Sequence, residues 1–281
     1  MTERSLLITG AASGIGRDAA RGMAARGWRV LATCRNPDDC AGLIAEGLES
    51  FPLDLASGES VAAAAAEALD RTGGRIDALF NNGAFACPGA VEDLPRAALR
   101  EILEVNLIGQ LDLTNRLLPA MRARDAGRGA GRIVMNSSVL GLVAARWRGA
   151  YVATKFALEG LTDTLRLELR GTGIRVILIE PGPIATRFRQ NAIPHFERHV
   201  DWRASPHRAA YEATLLKRLY APEAKRDRFE LPPSAVTETL ARALEARTPR
   251  ARYTVTTPAH VAGLLRRVLP AGMLDLILSR Q

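Results

Sequence analysis

The chain has 281 residues, 47% of them hydrophobic, enough to bury one sizeable α/β core. Its net charge of +8 is spread through the chain with acids interleaved and forms no basic stripe, so no nucleic-acid partner is expected. Cys34, Cys40 and Cys87 are odd in number and not in metal-ligand spacing, which argues against a disulfide framework or a zinc site and fits a reducing, cytoplasmic compartment.

The first residues run into a short apolar strand, too short for a signal sequence or a membrane span. From there, apolar runs alternate with helical patterns. Strands are predicted at 5–9, 29–33, 49–53, 76–81, 132–137 and 175–180. Helices are predicted at 14–26, 37–46, 57–72, 95–124, 149–171 and 234–247. Such alternation implies a parallel sheet with helices on both faces, a doubly wound Rossmann fold occupying residues 1–281 as one domain. Glycine-rich stretches at 72–75, 125–131 and 171–173 read as loops, none of them a domain linker.

Residues 187–233 break the alternation and hold Phe188, Phe196, Trp202, Tyr211, Tyr220 and Phe229. A long irregular connection of this kind reads as a substrate cover, or as a surface excursion with a small core of its own. In the tail at 258–281, Val261, Leu264, Leu265, Val268 and Leu269 recur at helical spacing beside Arg266 and Arg267. Its apolar stripe is expected to pack against the body or a partner subunit, with a membrane surface as the alternative.

Two motifs carry chemistry. Thr9-Gly10-Ala-Ala-Ser13-Gly14-Ile15-Gly16 lies between the first strand and the first helix, where glycines let the backbone approach a pyrophosphate that the helix N-terminus attracts. About twenty residues on, NAD selection calls for an acid against the ribose 2′-hydroxyl. The second strand ends instead on Cys34-Arg35-Asn36, and a guanidinium suits a 2′-phosphate, which predicts NADP(H) over NAD(H). Asp38 and Asp39 follow Pro37 as first-turn acids of the next helix.

The second motif is Tyr151-Val-Ala-Thr-Lys155, preceded by Ser137 and Ser138. Four residues apart on a helix, the phenol and the ammonium share a face. A unit charge at about 4 Å is worth roughly 4 kcal/mol at an effective dielectric of ~20, so Lys155 is expected to draw a phenol that titrates near ~10 toward neutrality. Leu140, Val143, Trp147 and the aromatic cover are expected to line an apolar pocket.

Together these motifs resemble the short-chain dehydrogenases/reductases over about residues 5–186. The resemblance assigns Asp54, beside Leu55, to the adenine and Asn81-Asn82-Gly83-Ala84 to the motif after the fourth strand. That motif is usually Asn-Asn-Ala-Gly; exchanging its last two residues moves glycine's freedom by one position. It also implies Asn106 as the catalytic asparagine, orienting a water in a relay to Lys155. Ser138, thirteen positions before Tyr151, is implied as the catalytic serine in preference to Ser137. Tyr151 is implied as general acid/base, and Lys155 as its activator and the ligand of the nicotinamide ribose. Pro181-Gly182-Pro-Ile184-Ala-Thr186 is implied to hold the nicotinamide, with Thr186 on its carboxamide.

The Thr-Cys-Arg-Asn-Pro and Glu-Pro-Gly-Pro-Ile runs and the tail are similar to the NADP-dependent aldehyde reductases of that family, a group that retinol and 17β-hydroxysteroid dehydrogenases also resemble. The implied activity is hydride transfer between NADP(H) and an apolar aldehyde, ketone or corresponding alcohol, without a metal, in a homodimer or homotetramer. The alternatives are a membrane-associated retinoid or steroid dehydrogenase and a non-catalytic NADP(H)-binding scaffold.

Overall fold

Side-chain alternation along the strands builds two hydrophobic layers. The computed structural model describes residues 4–123, 131–221 and 229–279. In strand β1 (Arg4–Ile8), Leu6 and Ile8 point into one layer and Leu7 into the other. The same division recurs in β2 (Trp28–Cys34), β4 (Ala78–Asn81), β5 (Arg132–Asn136) and β6 (Arg175–Pro181), where Ile177 and Ile179 oppose Val176 and Leu178, while β3 (Glu49–Pro52) gives only Phe51 to the second layer. A strand buried on both faces needs helices on both sides.

Between the strands run α1 (Gly14–Ala24), α2 (Pro37–Ala45), α3 (Gly58–Arg71), α4 (Arg96–Leu103), α5 (Gly109–Arg122) and α6 (Gly149–Glu168). After β6 come the short α7 (Phe188–Asn191), α8 (Ile193–His199), α9 (Arg208–Ala210) and α10 (Leu216–Leu219), then α11 (Ser234–Glu245), β7 (Arg252–Val255), α12 (Thr257–Val268) and α13 (Ala271–Leu278). Helices α1, α2 and α11 pack on one face of the sheet, and α3, α5 and α6 on the other. The sheet is parallel throughout, in the order β3-β2-β1-β4-β5-β6-β7. Strand order reverses at β1, where β2 lies on one side and β4 on the other, and ligands of such sheets bind outside the carboxyl ends of the strands at that point.

Three features differ from the sequence expectation. A seventh strand, β7, was not predicted. It is four residues long and is held by Arg252, whose guanidinium bonds Glu159 and Asp163 of α6 and Glu180 of β6. Burial works against the charge of Arg252, but Glu159 and Glu180 outweigh it and raise its pKa. Glu159 and Glu180 are themselves buried, so Arg252→Met leaves two acids without their cation. The expected cost is about 3–5 kcal/mol, read as a lower denaturant midpoint at pH 7.

The predicted helix at 95–124 is two helices, α4 and α5, joined by a π-helical turn at Glu104–Ile108. The tail is also two helices, divided at Pro270, which has no N–H to continue a helix. Arg266 anchors α12 by donating to the carbonyls of Gly141 and Leu142 and stacking on Phe156. Beyond that anchor the body covers only part of the tail: Ala259 is buried and Leu265 and Leu269 are half-buried, but Val261, Leu264, Val268, Met273, Leu276 and Ile277 are exposed, and α13 has no buried residue. No helix among the described residues is long and apolar enough to cross a membrane. The predicted loop at 125–131, apart from Gly131, lies outside the described residues, as do 222–228 of the cover and the last two residues of the tail.

Candidate active site

Strand β5 ends at Asn136, and the next two residues point apart. The Ser137 hydroxyl faces Gly141 and Glu159, where a Cβ on Gly141 would come within 2.7 Å of it. Ser138, extended at φ −168°, turns toward Tyr151 and caps the following short turn by accepting from Leu140 N–H at 3.1 Å. Tyr151 and Lys155 lie in the first two turns of α6, both buried, with Nζ 5.5 Å from the ring centroid. The Tyr151 ring also meets the edge of Phe188 at 5.3 Å and packs with Leu140, Phe85 and Ala192.

The phenol does not titrate in the direction expected from the sequence. Burial raises the Tyr151 pKa, and the opposing influences are the Ser138 hydroxyl and the charge of Arg148, not Lys155. Lys155 is itself lowered to about 8 by burial, with Glu159 one turn further along α6 pulling the other way. At neutral pH the folded chain therefore holds a protonated phenol, a proton donor, beside a lysine that is ready to give up its charge.

That lysine makes folding pH-dependent. Its ordinary value is near 10.5. Below about pH 8 both states keep the proton and burial of the charge opposes folding; between about 8 and 10 the unfolded chain keeps it while the folded protein has lost it. The Lys155 contribution to stability therefore rises with pH across that window. Urea melts of the cofactor-free protein at both ends of the window are expected to show the rise, and Lys155→Met is expected to flatten it.

A hydrogen-bonded chain joins this lysine to the glycine loop. Lys155 Nζ donates to Asn136 O at 2.7 Å, Asn136 Nδ2 donates to Asn82 Oδ1 at 2.9 Å, and Asn82 Nδ2 donates to Thr9 O at 3.0 Å. The exchanged Asn-Asn-Gly-Ala motif keeps this geometry. Asn82 and Gly83 N–H both donate to Thr9 Oγ1 at 2.9 Å, and Gly83 has no positive φ, so the position needs none of glycine's special freedom. Asn106, in the π turn, bonds the backbone N–H and C=O of Phe85 and the Thr154 hydroxyl. It ties α6 to the loop after β4 and makes no direct bond to Lys155.

At the glycine loop the backbone is drawn close together. A Cβ on Gly16 would lie 2.2 Å from Gly10 O, so only glycine lets α1 start this close to β1. The N-cap Ser13 makes no side-chain cap bond and the first turn of α1 has no acid, leaving the helix N–H groups to meet a diphosphate. Ile15 packs against the core behind the loop. Across it, a Cβ on Gly14 would touch the Thr186 methyl at 3.0 Å, which brings the 181–186 segment against the loop. A Cβ on Gly182 would lie 2.1 Å from Thr256 Oγ1, and Gly182 N–H donates to Val255 O, so β7 positions Pro181 and Gly182. Ile184 bridges to Leu231.

At the end of β2, Arg35 is exposed, while Asn36 accepts from Asp38 N–H and caps α2, placing Asp38 and Asp39 in its first turn as predicted. Asp54 turns the chain after β3 by accepting from Ala56 N–H at 2.9 Å, and Leu55 follows it at the wall of Gly83. The residues singled out from sequence therefore gather at the carboxyl ends of the strands, where sheets of this kind bind their ligands.

The family profile described as short chain dehydrogenase matches residues 4–196. The chain belongs to the short-chain dehydrogenases. An uncharacterized oxidoreductase of Escherichia coli K12, YbbO, is 40% identical to this dehydrogenase over 278 residues, covering 99% of this chain and 94% of the relative. Human retinol dehydrogenase 16 is 34% identical over 289 residues, covering 99% and 88%. A short chain dehydrogenase/reductase of Burkholderia phymatum, solved in complex with NAD, superposes with a TM-score of 0.76 at 26% identity, covering 99% of this chain and 96% of that one. This dehydrogenase is thus an oxidoreductase by family and by fold.

The cover of the dehydrogenase divides its aromatic residues between two tasks. Phe188 faces Tyr151, whereas Phe196 and Tyr211 are buried in a separate core with Trp202 and Trp147. Tyr220 and Phe229 are exposed. Tyr211 pins the cover by donating to Asp93 and accepting from Ala90 N–H, and Glu101 of α4 pairs with His195 and His199 of α8. The small core expected of a surface excursion is thus present in 187–233, while Phe188 sets one aromatic of the segment against Tyr151. Of the predicted lining, Leu140 packs with Tyr151, while Trp147 belongs to the core of the cover.

Sequence reasoning missed Asn136, whose contact with Lys155 is a backbone carbonyl and leaves no side-chain signal, and Thr154, which lies inside the Tyr151 motif itself. A separate cavity of about 340 Å³, lined by Arg170, Arg175 and Arg250 among others, lies at the opposite ends of the strands and includes no candidate catalytic residue.

Proposed function

We propose that this dehydrogenase reduces an apolar aldehyde or ketone with NADPH and, in reverse, oxidises the corresponding alcohol. The observation that carries the reading is the bonded path from Lys155 through Asn136 and Asn82 to Thr9, which ties a buried phenol and ammonium to a dinucleotide cradle. The bound nicotinamide supplies or accepts the hydride. Tyr151, kept protonated by burial, donates its proton to the carbonyl oxygen, and Ser138 donates a hydrogen bond to the same oxygen as charge develops there. Lys155 would hold the nicotinamide ribose when the cofactor is bound, and it passes a proton drawn from solvent back to Tyr151. Asn106 acts by position, fixing α6 against the loop after β4.

Arg35 favours the 2′-phosphate of NADPH, since the end of β2 presents a guanidinium and the nearest acids are committed to the first turn of α2. The Burkholderia relative was solved with NAD, so within this fold the choice rests on local residues. Leu140, Phe85 and Phe188 around Tyr151 favour an apolar group beside the carbonyl. The name of the human relative, a retinol dehydrogenase, supports the same class.

Purified protein with NADPH and a panel of aliphatic aldehydes, aromatic aldehydes, ketosteroids and retinal is the test. Steady NADPH consumption with part of the panel is the expected result. Tight NADPH binding with no consumption across the whole panel would leave a non-catalytic nucleotide-binding protein.

A further inference from the structure

Trp147 has φ +66°, a backbone conformation rare for a bulky residue and kept only where the surroundings enforce it; such outliers gather at functional sites. Here the enforcement is visible. Trp147 O accepts from Gly89 N–H at 3.0 Å, and its ring lies 4.6 Å from that of Tyr211 in the cover. The turn delivers the next residue, Arg148, to the start of α6, three positions before Tyr151. Arg148 is thus set between two contacts with the cover, Trp147 on Tyr211 and Tyr151 on Phe188.

The residue after Phe188 is Arg189, and its Nη2 is buried without a hydrogen-bond partner. Neither Arg148 nor Arg189 has an ion pair or a side-chain hydrogen bond with the described residues. Burial disfavours the charged form of Arg148; Arg218 of α10 and Arg189 add to this, and Tyr151 opposes it. Charges taken out of water are normally paired, and among the described residues no carboxylate pairs with Arg148 or Arg189. A planar guanidinium forms its strongest contacts with carboxylate or phosphate oxygens.

We propose that Arg148 and Arg189 form an acid-recognition subsite beside Tyr151, so that the preferred carbonyl substrate carries a carboxylate or similar anionic group on an apolar body. The inference rests on the reading of Tyr151 as the proton donor to a carbonyl. It narrows the substrate class to amphiphilic oxo-acids, with the carbonyl at Tyr151, the apolar part against Leu140 and Phe188, and the acid at the arginines.

The test uses matched pairs with NADPH: succinic semialdehyde against butanal, and azelaic semialdehyde against nonanal. The wild-type protein is expected to favour the acid of at least one pair about tenfold or more in kcat/KM, mostly through KM, as for a hydrogen bond to a charged group. Arg148→Gln is expected to remove most of that preference and Arg148→Lys to restore part of it, with Arg189→Gln as the second variant should the first fail to fold. NADPH affinity, titrated by fluorescence, is expected to fall far less than the acid preference. Equal kcat/KM for acid and neutral partners in both pairs overturns the subsite while leaving carbonyl reduction in place. A loss of NADPH affinity that matches the loss of acid preference also overturns it, since the arginines would then serve the cofactor diphosphate. No turnover of any aldehyde overturns the underlying reading instead.

Discussion

Tyr151→Phe is expected to lower kcat for carbonyl reduction by about 10³-fold while leaving NADPH affinity within about twofold. The substitution removes one oxygen and nothing else from the packing: the ring keeps Phe188 at its edge, and Leu140, Phe85 and Ala192 around it. What is lost is the proton at the carbonyl oxygen, and a positioned general acid contributes roughly 10²–10⁴-fold. Burial places the Tyr151 pKa above its ordinary value, so the wild-type phenol is a donor throughout the neutral range and its removal is expected to matter equally at pH 6 and pH 8. Stopped-flow single turnover with NADPH and an aldehyde separates the chemical step from product release. A variant that still reduces the aldehyde within about tenfold of wild type would move the proton donor to another group, with Ser138 the first to test.

The parts of the molecule that could be read in advance are those where local pattern and global fold agree. Leu6, Leu7 and Ile8 announce a strand because both neighbouring faces are apolar, and the glycine loop follows at once, so β1 and the start of α1 were legible together. Strand β7 was not. Its four residues follow a long segment without alternation, and three of them are only half-buried, so hydrophobic pattern is weak there; besides its backbone pairing with β6, it is held by the Arg252 cluster, assembled from residues up to 93 positions apart. The tail showed the opposite failure. Helical spacing predicted an apolar stripe correctly, but spacing says nothing about what the stripe meets, and no residue of α13 is buried among the described residues.

The site shows the same division. Spacing placed Tyr151 and Lys155 on one helix face, and the family resemblance picked Ser138 over Ser137; in the structure Tyr151 and Lys155 lie buried on α6, and the Ser137 hydroxyl faces Gly141 and Glu159. The electrostatic consequence had the wrong sign because a sequence gives the distance between charges along a helix but not the water lost around them. Once both groups are buried, loss of water dominates, raising the phenol and lowering the amine. Arg148 went unnoticed for a related reason: among so many arginines it has no distinguishing neighbour in the chain, and only the turn at Trp147 marks it out.

Cofactor selection provides the other large expected effect. Arg35→Ala is expected to lower the preference for NADPH over NADH by about 10- to 100-fold, almost wholly through weaker NADPH binding. A charge-assisted hydrogen bond is worth roughly 1.5–3 kcal/mol, and a forked contact of guanidinium with phosphate lies toward the upper end. Because Arg35 is exposed, the effect is expected to shrink as salt is raised, and because it acts on the 2′-phosphate and not on the nicotinamide, the rate of hydride transfer at saturating cofactor is expected to stay unchanged. Restoring an acid, Arg35→Asp, is expected to go further and favour NADH, since the carboxylate repels the 2′-phosphate and accepts from the ribose hydroxyl. The measurement is Kd for NADPH and NADH at two salt concentrations for the three proteins. An unchanged ratio in Arg35→Ala would remove the 2′-phosphate contact from the end of β2 and with it the ground for preferring NADPH, since Asp38 and Asp39 would then be the nearest groups able to reach the ribose from α2.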